Sequence, residues 1–391
     1  MTGSGLIARV DSARQPPSGA PARPIRPTRP RLRSLTVFVA WRDLRFARGR
    51  FVLIGSVVTL ITLLVGFLSG LTMGLADQNV SALTGLSADR IVFSAPAAGE
   101  SVSYADSAVT GADADAWRAQ PGVDRVSPLG ILQLRLGSDQ KQTSVALFGA
   151  EAGFGMVPAE AGHLTLPETA AEDLGVRAGD TVDLAGTVFT VDSVTADTWY
   201  SHTPVVWLPL TDWQDVGAAT GRPDAVASVL AVTGSDVDYA AADLATGTTS
   251  TGVLPSLTAL EAFRSEIGSL LLMVTMLFGI SALVVGAFFT VWSIQRQPDV
   301  AVLKALGASN RMLVLDALGQ ASVVLVVGVG VGIGLTGVLG ALAGSVLPFV
   351  LSPLTTLLPA AAMIALGLAG AAFALRSVTA ADPLTALGSN R

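Results

Sequence analysis

The residues able to do chemistry are few. The chain has two lysines, Lys141 and Lys304, two histidines, His163 and His202, and no cysteine. Neither lysine follows a glycine, so there is no G-x-x-x-x-G-K-S/T loop to cradle phosphates. The chain is therefore not expected to be a P-loop ATPase itself. The histidines lie about forty residues apart with no carboxylate or cysteine at metal-ligand spacing, and no metal site is expected. No G-x-S-x-G elbow occurs, and no catalytic residue is assigned. Four other residues stand where apolar runs meet polar chain: Met73 and Asp77 close one run, and Phe263 and Glu266 open the next. At such a depth they read as substrate contacts or as snorkelling end-caps. Residues 198–209, with Trp213 beyond, hold three of the six tryptophans. They read as the core of a strand–turn–strand corner or as a ligand surface, the core being favoured.

A second group is short and polar, from Gln295 to Arg311. Pro298 suits the first turn of a helix, where its missing N–H costs nothing, and Asp299 suits the positive end of the helix dipole. Val300, Leu303 and Lys304 then share one face, and Gly307 ends the helix one turn on. This helix is either a plain connector or a docking element.

The elements that must position these residues follow from composition. Of 391 residues 51% are hydrophobic and 14% charged, with mean hydropathy +0.59, a membrane composition. Residues 1–34 alternate Pro and Arg and are expected to be disordered. An amphipathic stretch over 35–50 carries Trp41 with Arg42, Arg45, Arg48 and Arg50 and is predicted to lie on the cytosolic leaflet. Apolar spans are predicted over 51–76, 267–294, 312–347 and 355–375, the last two joined by a Pro-bearing turn at 348–354. Gly66, Gly70 and Gly74 repeat every four residues in the first span and give a bare helix-packing stripe; Gly328, Gly332, Thr336, Gly340 and Gly344 do the same in the third.

The segment 77–266 has twenty-five acidic side chains against eight basic ones, whereas the first fifty residues hold eleven arginines against two aspartates. Basic residues also border the cytosolic ends of the later spans (Arg296, Lys304, Arg311, Arg376). Both termini, the 295–311 helix and the 376–391 tail are therefore expected in the cytosol of a plasma-membrane protein, and 77–266 outside. Strands are predicted at 131–136, 144–148, 181–184, 188–191 and 205–208, and helices at 113–119, 168–174, 212–216 and 239–245. The fold class is thus a membrane protein with four transmembrane helices and a large α+β extracytoplasmic domain between the first two.

The layout, together with Val300-Ala301-Val302-Leu303-Lys304-Ala305-Leu306-Gly307-Ala308-Ser309, resembles the FtsX/MacB-type permeases of ABC transporters. Leu174-Gly175-Val176 and Gly179-Asp180-Thr181-Val182 are similar to the family's extracytoplasmic core. Residues 45–51 and 199–213 look most like the branch of Gram-positive haem-exporting permeases. Where many members have Arg-x-x-Glu-Ile, this chain has Arg296-Gln297-Pro298-Asp299-Val300.

The resemblance implies a homodimer in membrane lipid with two copies of a cytosolic ABC ATPase, which would hold the ATP and Mg; this chain would bind no cofactor and no nucleic acid. It makes the 299–310 helix the coupling helix, with Val300 and Leu303 in a groove of the ATPase, Lys304 at an acidic rim, and Gly307 at its end. It implies efflux of an amphipathic substrate, haem foremost, near Met73, Asp77, Phe263 and Glu266. The alternatives are ATP-driven signalling or mechanical transmission to an extracellular partner, and a membrane-anchored binding domain without an ATPase.

Overall fold

The computed structural model describes residues 48–379 apart from 140, 222–225 and 345. The 1–34 tail, nearly all of the 35–50 stretch and the last twelve residues lie outside these. The first helix, α1 (Arg48–Thr84), is followed by the outer domain: β1 (Arg90–Ser94), α2 (Gly111–Arg118), β2 (Val123–Ser138), β3 (Lys141–Ala150), β4 (His163–Pro167), α3 (Glu168–Leu174), β5 (Thr181–Leu184), β6 (Thr187–Thr195), β7 (Trp199–Tyr200), β8 (Thr203–Pro209), α4 (Leu210–Ala219), β9 (Val229–Gly234), α5 (Tyr239–Thr246), β10 (Thr248–Gly252) and α6 (Val253–Ser256). Then come α7 (Glu261–Gln295), α8 (Gln297–Ala305), α9 (Asn310–Ala343) and α10 (Pro353–Thr379). The long helices α1, α7, α9 and α10 each contain a stretch apolar and long enough to cross a membrane.

The fourth long helix, Pro353–Thr379, overruns the predicted 355–375 at both ends, and α9 stops at Ala343 instead of 347; two further helices run on into the β-rich domain. α1 continues past Ala76 to Thr84, and α7 starts at Glu261 instead of 267. The cause is a second environment beyond the bilayer. Val80, Ala82 and Leu83 of α1, with Leu260 and Phe263 at the head of α7, join an apolar core under the outer sheet that includes Ile91, Phe93 and Phe148. A pattern tuned to lipid misses residues buried by protein.

The outer sheet runs β10-β1-β9-β2-β3-β8-β4-β6-β5, and β7 pairs with β8 at its side. The far end of β2 also pairs with β5 through Leu136↔Leu184 and Gly137↔Asp183, so β2, β3, β8, β4, β6 and β5 close into a ring. Leu147, Leu164, Leu166, Leu184, Val206 and Leu208 are among the buried side chains of one core here. The open part, β10-β1-β9-β2, packs α2 and α5 against a third core through Trp117 and Ala242. The 16-residue strand β2 belongs to both parts.

Most of the aromatic corner is core, with Trp199 half-buried. Trp207, Trp213 and Tyr200 are all buried. Trp213 is received by Gly130 and Gly149, directly opposite each other on β2 and β3; a Cβ on either would overlap the indole. Burial pushes the Tyr104 and Tyr200 hydroxyls far above the ordinary tyrosine range, and both stay neutral.

Within the bundle the two glycine ridges meet. A Cβ on Gly328 would lie 2.9 Å from Val58, one on Gly332 2.7 Å from Thr62, and one on Gly66 2.9 Å from Thr336. Thr59 donates to the Gly328 carbonyl at 3.0 Å. Further out, Phe349 of the turn fills the space left by Gly70 and Gly340, and Gly74 lies against the Pro348 carbonyl. The stripe on α1 therefore seats on α9 and on the outer turn of the same chain.

Candidate functional site: the inner elbow and the outer junction

Pro298 lies in the first turn of α8, as its lack of an N–H favours. The helix ends at Ala305, short of the predicted 310, which already opens α9; just past its end Gly307 has a φ of +91°, the left-handed conformation of a glycine stop. The Gly307 N–H donates to the Lys304 carbonyl and the Ala308 N–H to the Leu303 carbonyl, each at 3.0 Å, a Schellman arrangement. Ser309 then caps α9 by accepting from the Met312 N–H at 3.3 Å.

At the other end Arg296 is both the C-cap of α7 and the N-cap of α8. Its guanidinium stacks 5.0 Å from the Trp292 ring centroid and donates to Gln320 Oε1 at 2.8 Å. It also lies 3.6 Å from Asp316 Oδ2, to which Gln320 Nε2 donates at 3.1 Å. Gln320 is 1% exposed. Beside this cluster is a cavity of about 30 Å³ bordered by Val300, Leu303, Leu313, Ala317 and Leu375, room for about one water.

Of the residues singled out on α8, Val300 and Lys304 are half-buried and Leu303 is 42% exposed. Val300 borders the inner cavity, and the most exposed apolar side chains are Val302 at 61% and Leu306 at 79%. Lys304 has no ion pair among the described residues. Helical spacing puts Val300 and Leu303 on one face but cannot say that the elbow turns Val300 toward the bundle.

At the outer junction Met73 is half-buried and Asp77 exposed on α1, while Phe263 packs onto the core beneath the sheet. Glu266 is bound on two sides. Its carboxylate meets His202 Nε2 at 2.9 and 3.0 Å and accepts from Asn79 Nδ2 at 3.2 Å. His202 sits with Ser201 at the tip of the β7–β8 hairpin, with φ of +62° and +48°. A two-residue turn with both φ positive ordinarily takes Asn-Gly, so Ser-His is strained here. The two backbone N–H groups donate to the Asn79 and Gln78 carbonyls of α1, each at 2.9 Å.

Asn79, Arg296, Asp316 and Gln320 escaped assignment from sequence, and His202 was noted only as a histidine without metal-ligand neighbours. The available signal was Asp316 and Gln320, one turn apart in an otherwise apolar run. Among the described residues no group of three or more His, Asp or Glu could hold a metal ion.

Residues 271–383 match the family model described as FtsX-like permease C-terminal. A protein of Staphylococcus haemolyticus named hemin transport system permease protein HrtB is 24% identical over 367 residues, covering 90% of this chain and 99% of that protein. An uncharacterized ABC transporter permease of Mycobacterium bovis is 26% identical over 368 residues, with the same two coverages, 90% and 99%. Of solved structures, the periplasmic region of MacB from Actinobacillus actinomycetemcomitans aligns with 45% of this chain and 94% of its own length, at TM-score 0.32 and 16% identity.

Proposed function

We propose that this chain, whose residues 271–383 match the FtsX-like permease model and which is similar over 90% of its length to named ABC and hemin transport permeases, is an ABC transporter permease of the FtsX/MacB type that extrudes an amphipathic substrate, haem, by coupling to ATP hydrolysis in a separate ATPase. The observation that carries the substrate is the near full-length similarity to a protein named as a hemin transport permease. Two copies of this chain would work with two ATPases holding ATP and Mg, the termini and α8 on the cytosolic side and the β-rich domain outside. Leu303, Lys304 and Gly307 would form the seat on α8, with Val300 behind them on the side of the bundle. Met73 and Asp77, one turn apart on α1, offer a thioether and a carboxylate as iron ligands, and Phe263 and Glu266 border the same end of the bundle.

Purified complex titrated with haem is expected to shift the haem absorption band, and Met73→Ala with Asp77→Ala to abolish the shift. An unshifted band in wild type would reject haem. Leu303→Asp or Lys304→Glu should release the ATPase, and its retention in both would reject the seat.

A second reading, mechanical transmission to an extracellular partner, is favoured by one observation: α1 and α7 run unbroken into the outer-domain core. ATP-dependent movement of the outer domain without any response to haem would select it.

A further inference from the structure

We infer that Arg296, Asp316 and Gln320 are positioning residues that lock the angle between α7 and α8, so that a push on α8 reaches α7 and α9 together. The inference rests on α8 being where the ATPase acts.

The geometry carries it in three steps. First, α8 is nine residues long between two breaks, the Arg296 elbow and Gly307. A Cβ at Gly307 would meet nothing within 4 Å, so that end is open. Second, α8 has little packing of its own to set its angle. Val302 and Leu306 face outward, and the inward side borders a cavity. Third, the elbow is held by directional bonds. A guanidinium is a rigid planar fork of donors; here it sits on Trp292 and reaches both Asp316 and Gln320, which bond each other. Fixing one residue at the corner to two residues one turn apart on α9 leaves α8 little freedom to swing. Polar groups at the edge of an apolar span are costly to keep and are retained for a role.

The cysteine-free chain gives a direct test, since Leu303→Cys and Leu313→Cys place thiols on α8 and α9 at two residues that both border the cavity. Disulfide formation in membranes is expected to slow about fivefold or more when Arg296→Met or Asp316→Asn is added, with Arg296→Lys between. The Arg296→Met/Asp316→Asn double variant should be no slower than the worse single, because one clamp is being removed. Rates unchanged within about twofold, or losses that multiply, would overturn the clamp.

In the chain without added cysteines, Arg296→Met and Asp316→Asn should keep the ATPase bound but lose stimulation of ATP hydrolysis by added haem. Release of the ATPase by Arg296→Met alone would mean that Arg296 touches the ATPase and would also overturn the clamp. A wild-type complex that ignores haem would reject the export reading, while the disulfide rates would still decide the clamp.

Discussion

The two ends of the membrane helices are both tied by a three-residue polar cluster, and the clusters do different work. At the outer junction Asn79, His202 and Glu266 sit beside an apolar core that already contains the end of α1 and the start of α7. The polar bonds there trim a joint that hydrophobic burial has made. At the inner elbow α8 leaves Val302 and Leu306 exposed, and Arg296, Asp316 and Gln320 hold the corner. Burial makes a joint strong without directing it; a guanidinium fork directs it with modest strength. The outer joint is thus fixed mainly by burial and the inner corner mainly by directional bonds.

The contrast is sharpest at Leu83. Removing this fully buried side chain by Leu83→Ala should destabilise the outer domain by about 2–5 kcal/mol, read by denaturant unfolding. At the elbow Arg296→Met removes one partner of a partly buried pair, and about 1–3 kcal/mol is expected in a melting experiment. Equal losses at the two sites would break the contrast. Glu266→Gln keeps a carbonyl acceptor and should cost about 0–1 kcal/mol, because the His202–Glu266 pair is open to solvent. Ser201→Gly should have the opposite sign, a gain of about 0.5–1 kcal/mol from relieving a positive φ, with the melting of the outer domain raised. A loss there would mean that the turn is not strained.

Much of the architecture was legible. The apolar runs locate the four long helices, Pro298 and Gly307 bracket α8, and the predicted bounds of α3 and β5 match those observed. Strands β1, β4, β9 and β10 were missed, and β7 was foreseen only as part of a strand–turn–strand corner. Thr248–Gly252 reads Thr-Thr-Ser-Thr-Gly, with no alternation to mark it, and is a strand because β1 pairs with it over five residues. The closure of the ring was invisible for a related reason, since Leu136 and Leu184 meet only when the sheet has curled. Periodicity names the face a residue lies on and is silent about its partner. His202 and Asn79 are 123 residues apart, and His202 and Glu266 are 64 apart. Arg296 and Gln320, only 24 apart, meet because the chain turns back at Gly307.

Strand β2 acts as a beam common to two structures. Its 16 residues, at ~3.3 Å each, reach about 50 Å, so a rotation of about 5° at one end sweeps the other through about 4 Å. The ends of α1 and α7 pack on a core that draws Ile91 and Phe93 from the open sheet and Phe148 and Val205 from the ring, so both parts of the domain stand on one footing.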